Sequence, residues 1–275
     1  MTKSVSKVFP VTTVLAFMLM VLPMQSVQAL GGGSGSVSLT TPGSAYTQDF
    51  DTLANTLSTN NLTINGWYLN ETGSSGANNG QYAAGTGSSL AGDVYSFGAA
   101  ASTERAFGTL FSGTLAPTIG AQFTNNTGSS ISDLLIEYKG EQWRLGQNTA
   151  GRAADRLDFQ LSQNATSLTT GTWVDYNSLD FLSPVVAGTV GALNGNVTPN
   201  RTVLSFLVSG LSIADGASFW IRWADSDLAP GSDDGLAVDD FSLTARGTTS
   251  VPEPGTLALL GLGLAGLAAT RRRKQ

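Results

Sequence analysis

The chain has 275 residues and no cysteine or histidine, which excludes disulfides, thiol nucleophiles, Cys/His zinc sites and every catalytic triad that uses imidazole as its base. Because catalysis would depend on carboxylates, hydroxyls, lysine and arginine alone, we expect the protein not to be an enzyme. Between residues 30 and 250 there are nineteen acidic and eight basic side chains, a balance that disfavours nucleic acid and anionic membranes as partners and suits bound cations.

The N-terminal segment 1–29 has the pattern of a secretory signal peptide. Lys3 and Lys7 form a basic start, Val11–Leu22 is an apolar run, and a small-residue cleavage site ends at Ala29. The apolar run is too short to span a bilayer comfortably. We therefore expect a signal helix that directs export across the inner membrane and is removed after Ala29.

Two glycine- or threonine-rich segments flank the body of the chain. Residues 30–36 (LGGGSGS) are predicted to be a flexible lead-in, and residues 247–251 a matching exit linker. Between them, residues 37–246 form one predicted domain, in which Gly, Asn, Ser or Pro recurs about every ten residues. No internal repeat is visible in it.

Short β-branched or aromatic runs separate these turn residues, and several of them alternate between apolar and polar positions. RLDFQLS and SFWIRWAD are the clearest cases, and no helical period is sustained anywhere in the domain. This pattern predicts an all-β fold, an antiparallel β-sandwich of the jelly-roll type. The predicted strands are 62–69, 106–111, 119–124, 131–138, 156–161, 203–211, 218–224 and 235–243.

Residues 70–93 form a long insertion rich in glycine, serine and asparagine. Such a segment buries little apolar surface by itself. It is predicted to be either a mobile loop or a loop that contacts a ligand.

The segment IEYKGEQWRLG (136–146) contains two glutamates, and it resembles a segment found in other secreted sandwich proteins. Glu137 and Glu141 suggest the paired carboxylates of a glycoside hydrolase. Along a continuous strand they would lie about 13 Å apart at ~3.3 Å per residue, whereas paired glycosidase carboxylates lie roughly 5–10 Å apart. We favour a structural role, an ion pair between Glu141 and Arg144 beside a packed Trp143, and keep a secreted carboxylate-dependent glycan hydrolase as the alternative function.

Tryptophan side chains are candidates for stacking on sugar rings. Strand alternation places Trp220 beside Arg222, on the face opposite Phe219 and Trp223. We therefore predict Trp220 and Arg222 as possible sugar contacts, although tryptophan in a sandwich is more often part of the core.

An acidic stretch near the end of the domain is the strongest candidate for a metal site. Calcium suits such a cluster because it takes six to eight oxygen ligands in loose geometry. The spacing lacks the oxygens of an EF-hand, so ligands distant in sequence would have to complete a site. The carboxylates are Asp225, Asp227, Asp233, Asp234, Asp239 and Asp240.

The early DFD (49–51) and the late GLAVDDFSL (235–243) resemble carbohydrate-binding-module-like sandwiches, whether concanavalin-like or galactose-binding-like. In these families a structural calcium bridges the first and last strands. The resemblance implies calcium at Asp49, Asp51 and either Asp239 or Asp240, and alternation does not decide between the last two. The alternative is a solvated acidic loop that closes an edge strand.

The C-terminal segment 252–275 combines Pro252-Glu253-Pro254, an apolar run over 256–270 and the basic residues Arg271, Arg272 and Arg273. The run would measure about 22 Å as a helix at ~1.5 Å per residue, short of a ~30 Å hydrocarbon core. It therefore predicts a short hydrophobic helix that is a transient tether in the inner membrane, with its basic end on the cytoplasmic side.

These three elements in this order resemble the PEP-CTERM sorting signal of Gram-negative bacteria. The resemblance implies processing by an exosortase and delivery of the domain to the cell surface or exopolysaccharide matrix. We accordingly expect a structural or carbohydrate-binding role there, with extracellular polysaccharide as a partner.

Replacing both Pro252 and Pro254 with alanine is expected to prevent processing, because the tripeptide marks the cleavage region. Immunoblots of membrane and medium fractions should then show a larger protein retained in the membrane. Unchanged size and location in the double variant would contradict the processing interpretation.

Overall fold

The computed structural model describes residues 30–226 and 231–247. The expected signal peptide (1–29), the sorting signal (252–275) and nearly all of the exit linker (247–251) lie outside the described residues. Within the described part, no helix is long and apolar enough to cross a membrane. Two 3-10 helices occur there, Asn177–Leu179 and Thr198–Asn200.

Sixteen strands make up nearly half of the described part of the chain. They are β1 (Leu30–Gly33), β2 (Val37–Leu39), β3 (Ala45–Gln48), β4 (Trp67–Gly73), β5 (Ala83–Gly85), β6 (Asp93–Phe97), β7 (Ala106–Leu110), β8 (Leu115–Asn125), β9 (Ile131–Leu145), β10 (Arg156–Ser162), β11 (Val174–Asp175), β12 (Phe181–Leu182), β13 (Gly191–Ala192), β14 (Arg201–Val208), β15 (Ser218–Ser226) and β16 (Gly235–Gly247).

The strands form two sheets, which confirms the predicted all-β sandwich. Sheet 1 has the order β1-β4-β8-β15-β10-β11, with β2 on β8 and β12 on β10; sheet 2 has the order β13-β9-β16-β7-β6-β5, with β14 on β9 and β3 on β16. The long central pairs are antiparallel, and β2–β8 and β5–β6 are parallel. Because neighbours in a sheet are mostly distant in sequence, the chain passes repeatedly from one sheet to the other, as in a jelly roll.

The main core lies between the sheets and is built by the period-two alternation of the sequence. Phe159 of β10 and Trp223 of β15 point inward and are fully buried. Trp67 stacks on Trp223 with ring centroids 6.1 Å apart and planes 8° apart, and Phe241 packs edge-on against both. Each such ring removes roughly 150–250 Å² from water, worth about 4–6 kcal/mol before the entropy of ordering is subtracted.

A second, smaller apolar cluster lies on the face of sheet 2 that points away from the main core. Tyr95, Phe97 and Trp143 stack in a row there, with successive ring centroids 4.9 and 6.2 Å apart. Gly195 lies directly on the Trp143 indole, since a Cβ at that position would be 2.4 Å from Nε1. Loops therefore cover this outer face of sheet 2 and create polar pockets along its margin.

The lead-in at 30–36 differs from the flexible linker that we predicted. Its first four residues form β1 and pair with β4. A Cβ at Gly32 would lie 2.3 Å from the Gly80 carbonyl oxygen, so the glycine permits close approach of a neighbouring loop rather than flexibility.

The predicted strand at 62–69 also differs, since it begins only at Trp67, after Gly66 turns the chain with a φ of 81°.

The insertion at 70–93 is a partly regular segment. Residues 67–73 belong to β4 and Ala83–Gly85 forms β5. The fully buried Glu71 accepts hydrogen bonds from the backbone amides of Asn79 and Gly80, both at 2.9 Å. A single buried carboxylate thus fixes the tip of the insertion against the sandwich.

Replacing Gly140 with alanine is expected to destabilise the fold by about 1–3 kcal/mol through overpacking. The added Cβ would lie 2.2 Å from Cδ2 of Phe181, which is fully buried. Chemical denaturation measures this change. The matched control is Gly113→Ala, where no atom lies within 4 Å of the new Cβ; equal stability of the two variants would contradict the packing described here.

Candidate functional site: a buried carboxylate pocket

Three carboxylates converge on the outer face of sheet 2. Glu141 belongs to β9, Asp239 to β16, and Glu104 to the turn that precedes β7. One carboxylate oxygen from each lies within 4.8 Å of the other two. The three acids therefore form one group, the carboxylate pocket, although they are far apart in sequence.

Strand geometry explains how the sequence builds this pocket. Glu141 and Trp143 are two residues apart in β9 and share a face, so the indole Nε1 donates a 2.9 Å hydrogen bond to Glu141 Oε2. Asp239 lies just before a register shift in β16. Asn196 lies in the loop that covers Trp143, and its side-chain amide donates a hydrogen bond to the Glu104 carboxylate.

Two oxygens of the carboxylate pocket are buried without compensation. Glu141 is fully buried and Asp239 is 5% exposed. Within the described residues, neither Glu141 Oε1 nor Asp239 Oδ1 has a hydrogen-bond partner. A buried polar oxygen without a partner is costly, and a buried charge more so. Both oxygens are therefore available to a cation or a proton.

The pKa values of the carboxylate pocket also indicate that its negative charge is poorly compensated. Burial raises the pKa of Glu141 to about 7. Burial, followed by the negative charge of Glu141, raises the pKa of Asp239 to about 8. Both shifts mean that the negative forms are poorly stabilised by the surrounding protein.

The arrangement fits a calcium ion. Calcium–oxygen distances of about 2.4 Å allow two ligands of one ion to be up to ~4.8 Å apart, the limit within which the three pocket oxygens lie. All three donors are hard carboxylate oxygens. An ion here would connect β9, β16 and the turn before β7.

The four residues that the sequence predicted as calcium ligands divide between two places. Asp239 enters the carboxylate pocket, whereas Asp240 has a φ of 45° and pairs with Lys139 at the surface. Asp49 accepts a 3.2 Å hydrogen bond from the amide of Asp51. Asp49 and Asp240 line one surface cleft. The irregularity after Asp239 directs the two neighbouring carboxylates to different places, which strand alternation alone does not specify.

Asp51 also has a role that the sequence did not indicate. Its Oδ1 accepts a 3.0 Å hydrogen bond from the backbone amide of Arg105. Asp51 thus holds the turn that carries Glu104. No local pattern marked Glu104 as a ligand, because its partners come from other strands.

The predicted sugar contacts are wrong for Trp220. This side chain is 2% exposed, covered by Ala165 and Leu168 and packed against Tyr68 at 4.6 Å between ring centroids. The segment after β10 folds over this face of sheet 1, which the alternation of β15 did not reveal. Arg222 is half-buried, and its guanidinium lies 4.0 Å from the centroid of a tryptophan ring, that of Trp173.

The glutamate pair considered for glycan hydrolysis is also separated. Glu137 is exposed and accepts a 3.1 Å hydrogen bond from the Ser205 hydroxyl. Glu141 instead shares the carboxylate pocket with Glu104 and Asp239. The pairing that motivated the hydrolase alternative is therefore absent from the described residues.

The remaining acidic residues of the 225–241 stretch lie elsewhere. Asp234 forms a buried 2.6 Å ion pair with Arg152. Asp225 points into the end of the sandwich, where burial, and then the charges of other aspartates, raise its pKa. Asp227 lies outside the described residues.

A second buried acid pair occurs beneath the insertion. Burial, then the hydrogen bond and negative charge of Glu71, raises the pKa of Asp93 to about 8. The protonated form of Asp93 is therefore favoured over its ionised form beside Glu71.

Comparison with known proteins identifies the C-terminal tail. Residues 250–274 match the PEP-CTERM protein-sorting motif. The tail is a PEP-CTERM sorting motif. It marks the chain for export and for processing by an exosortase, as the sequence predicted. No curated protein matches the chain.

Two solved structures are among those similar to this chain. The first is TmCBM61 in complex with β-1,4-galactotriose, with 9% identity over 54% of this chain and 74% of that chain and a TM-score of 0.29. The second is the K3 cleaved adhesin domain of Lys-gingipain from Porphyromonas gingivalis, with 11% identity over 74% and 93% of the two chains and a TM-score of 0.33. Neither likeness carries a functional assignment at this level of similarity.

The Asp93→Asn variant is expected to remove a pH dependence of stability. Because the folded-state pKa of Asp93 is raised to about 8, its stabilising proton is fully present below about pH 4 and is lost as the pH rises through 8. Wild-type protein should therefore lose stability between pH 5 and 9 more steeply than the variant in denaturant titrations. Parallel curves for the two proteins would contradict the raised pKa of Asp93.

Proposed function

We propose that the protein acts outside the cell, at the surface or in the exopolysaccharide matrix of a Gram-negative bacterium, as a non-enzymatic, calcium-stabilised sandwich that binds carbohydrate. The observation that carries the calcium assignment is the pair of buried, unpartnered oxygens on Glu141 and Asp239. The sorting motif supports export of the chain.

Charge balance favours a divalent cation. The carboxylate pocket holds three acids, and the basic groups that act on Glu141 electrostatically are Arg201 and Lys139. Lys139 is already paired with Asp240 at the surface. One Ca²⁺ would compensate most of the remaining negative charge and supply the missing partner of both orphaned oxygens.

The proposed extracellular location is compatible with a calcium ion in this pocket. Extracellular calcium modules bind with dissociation constants of about 0.1–1 mM, so such sites fill where calcium is abundant. The carboxylate pocket draws its ligands from three elements of one sheet. Calcium there would act as a cross-link that a cysteine-free chain lacks in covalent form.

The carbohydrate role is supported by that same destination and by the polar, open margin of sheet 2. Polysaccharide is the main polymer that a matrix protein meets. A protein that binds it without turnover needs shape and hydrogen-bonding groups rather than a nucleophile. The chain offers neither a thiol nor an imidazole for catalysis.

Calcium is expected to raise the thermal midpoint of the protein by several degrees. At ten to a hundred times the dissociation constant, linkage gives about 1.4–2.7 kcal/mol, and a domain of this size gains roughly 2–4 °C per kcal/mol. The measurement is a thermal melt in 10 mM calcium against a chelator. Magnesium should produce a smaller shift because it demands stricter octahedral geometry.

Glu141→Gln should abolish this calcium shift, since it removes a ligand charge from the carboxylate pocket. Glu137→Gln is the matched control, because Glu137 lies on the same strand but is exposed. No calcium shift in the wild type, or an equal loss in both variants, would contradict calcium binding at the carboxylate pocket.

A further inference from the structure

A separate cavity of about 330 Å³ lies at the other side of the turn that carries Glu104. Its walls come from β5, β6, the insertion and the turn before β7. Small residues form much of the lining and leave the space open. They are Ala83, Ala84, Gly85, Ala91, Ala99 and Ala100.

Polar groups face this cavity from several sides. Asn55 and Ser58 contribute an amide and a hydroxyl, and Ser88 and Ser89 of the insertion add two more hydroxyls. Asp93 lies in the same lining. Hydroxyl, amide and carboxyl groups around a small-residue wall match the hydrogen-bonding chemistry of a sugar ring. The volume is near the lower end for small-molecule sites, so it suits one sugar residue rather than a chain.

Arg105 gives the cavity a cationic wall. The side chain is 1% exposed, and its guanidinium donates to neutral acceptors: the Ser96 hydroxyl at 2.8 Å, the Ser96 carbonyl, and the carbonyls of Gly85 and Ala99 at 3.3 and 3.4 Å. Among the described residues, no carboxylate forms an ion pair with it. The charge of Glu104 acts on Arg105 from beyond ion-pair distance.

An arginine that is always protonated and lacks a contacting anion favours an anionic ligand. Carboxylates are well matched to the planar guanidinium. A ligand that carries both a carboxylate and several hydroxyl groups would use the two kinds of lining together.

We propose that this cavity binds an acidic sugar, a hexuronate residue of an extracellular polysaccharide, with its carboxylate at the Arg105 wall and its hydroxyls on the amide and hydroxyl groups. This inference rests on the proposed carbohydrate-binding role and names its site and ligand class. It also assigns the insertion: part of 70–93 contacts the ligand.

Calorimetric titration of the protein with digalacturonate and with neutral galactobiose tests the ligand class, at a fixed calcium concentration. Loss of one charge-assisted contact changes affinity by about tenfold or more. The acidic sugar should therefore bind at least about tenfold more tightly than the neutral one. Equal binding of the two sugars would overturn the assignment of an acidic ligand.

Two rim variants test the location. Ala99 is exposed and its carbonyl accepts from Arg105, so Ala99→Glu places a negative charge beside the guanidinium. We expect Ala99→Glu to weaken digalacturonate binding about tenfold. Ala99→Gln, whose side chain has the shape of glutamate without its charge, should keep the binding. Equal affinities in these variants would overturn the cavity as the site. Unchanged thermal midpoints show that both variants are folded, and Ala100→Glu with Ala100→Gln repeats the test at a second rim position.

The Glu141→Gln protein separates this inference from the calcium assignment. It should lose the calcium shift but retain digalacturonate binding, because Glu141 does not line the cavity. Loss of digalacturonate binding in this variant would indicate that the acidic sugar binds to calcium in the carboxylate pocket. It would overturn the assignment of the cavity as the sugar site. If calcium raises the thermal midpoint of the wild type but neither sugar binds, the sugar site and the carbohydrate-binding role are overturned. The calcium assignment would then stand.

Discussion

Charge taken out of water needs a counter-charge, and this constraint organises the margin of sheet 2. A carboxylate buried without partners is neutralised by a raised pKa or by a cation. Asp93 takes the first course beside Glu71, with its pKa raised to about 8. For the carboxylate pocket, with two unpartnered oxygens, we propose the second.

The turn before β7 links the two proposed sites. Glu104 points to the carboxylate pocket and its neighbour Arg105 forms a wall of the sugar cavity. Asp51 fixes this turn through the Arg105 amide, and the two consecutive side chains lie on opposite sides of it, an acid on one side and a base on the other.

Sequence pattern predicted the sandwich because alternation is a local signal. Seven of the eight expected runs overlap strands closely, and the eighth begins late at Trp67 because Gly66 turns the chain. Of the three acids in the carboxylate pocket, the sequence predicted only Asp239 as a calcium ligand. Glu104 and Glu141 meet it through long-range pairing, and the burial of Trp220 depends on a loop that covers it. Neither feature leaves a mark in the local sequence.

The most direct test of the central claim is a crystal structure of the protein grown with calcium, examined for anomalous scattering. The account predicts one strong peak between the carboxylates of Glu104, Glu141 and Asp239, with oxygen ligands at about 2.3–2.6 Å. A peak in the surface cleft of Asp49 and Asp240 instead, or a pocket filled only by water at saturating calcium, would contradict it.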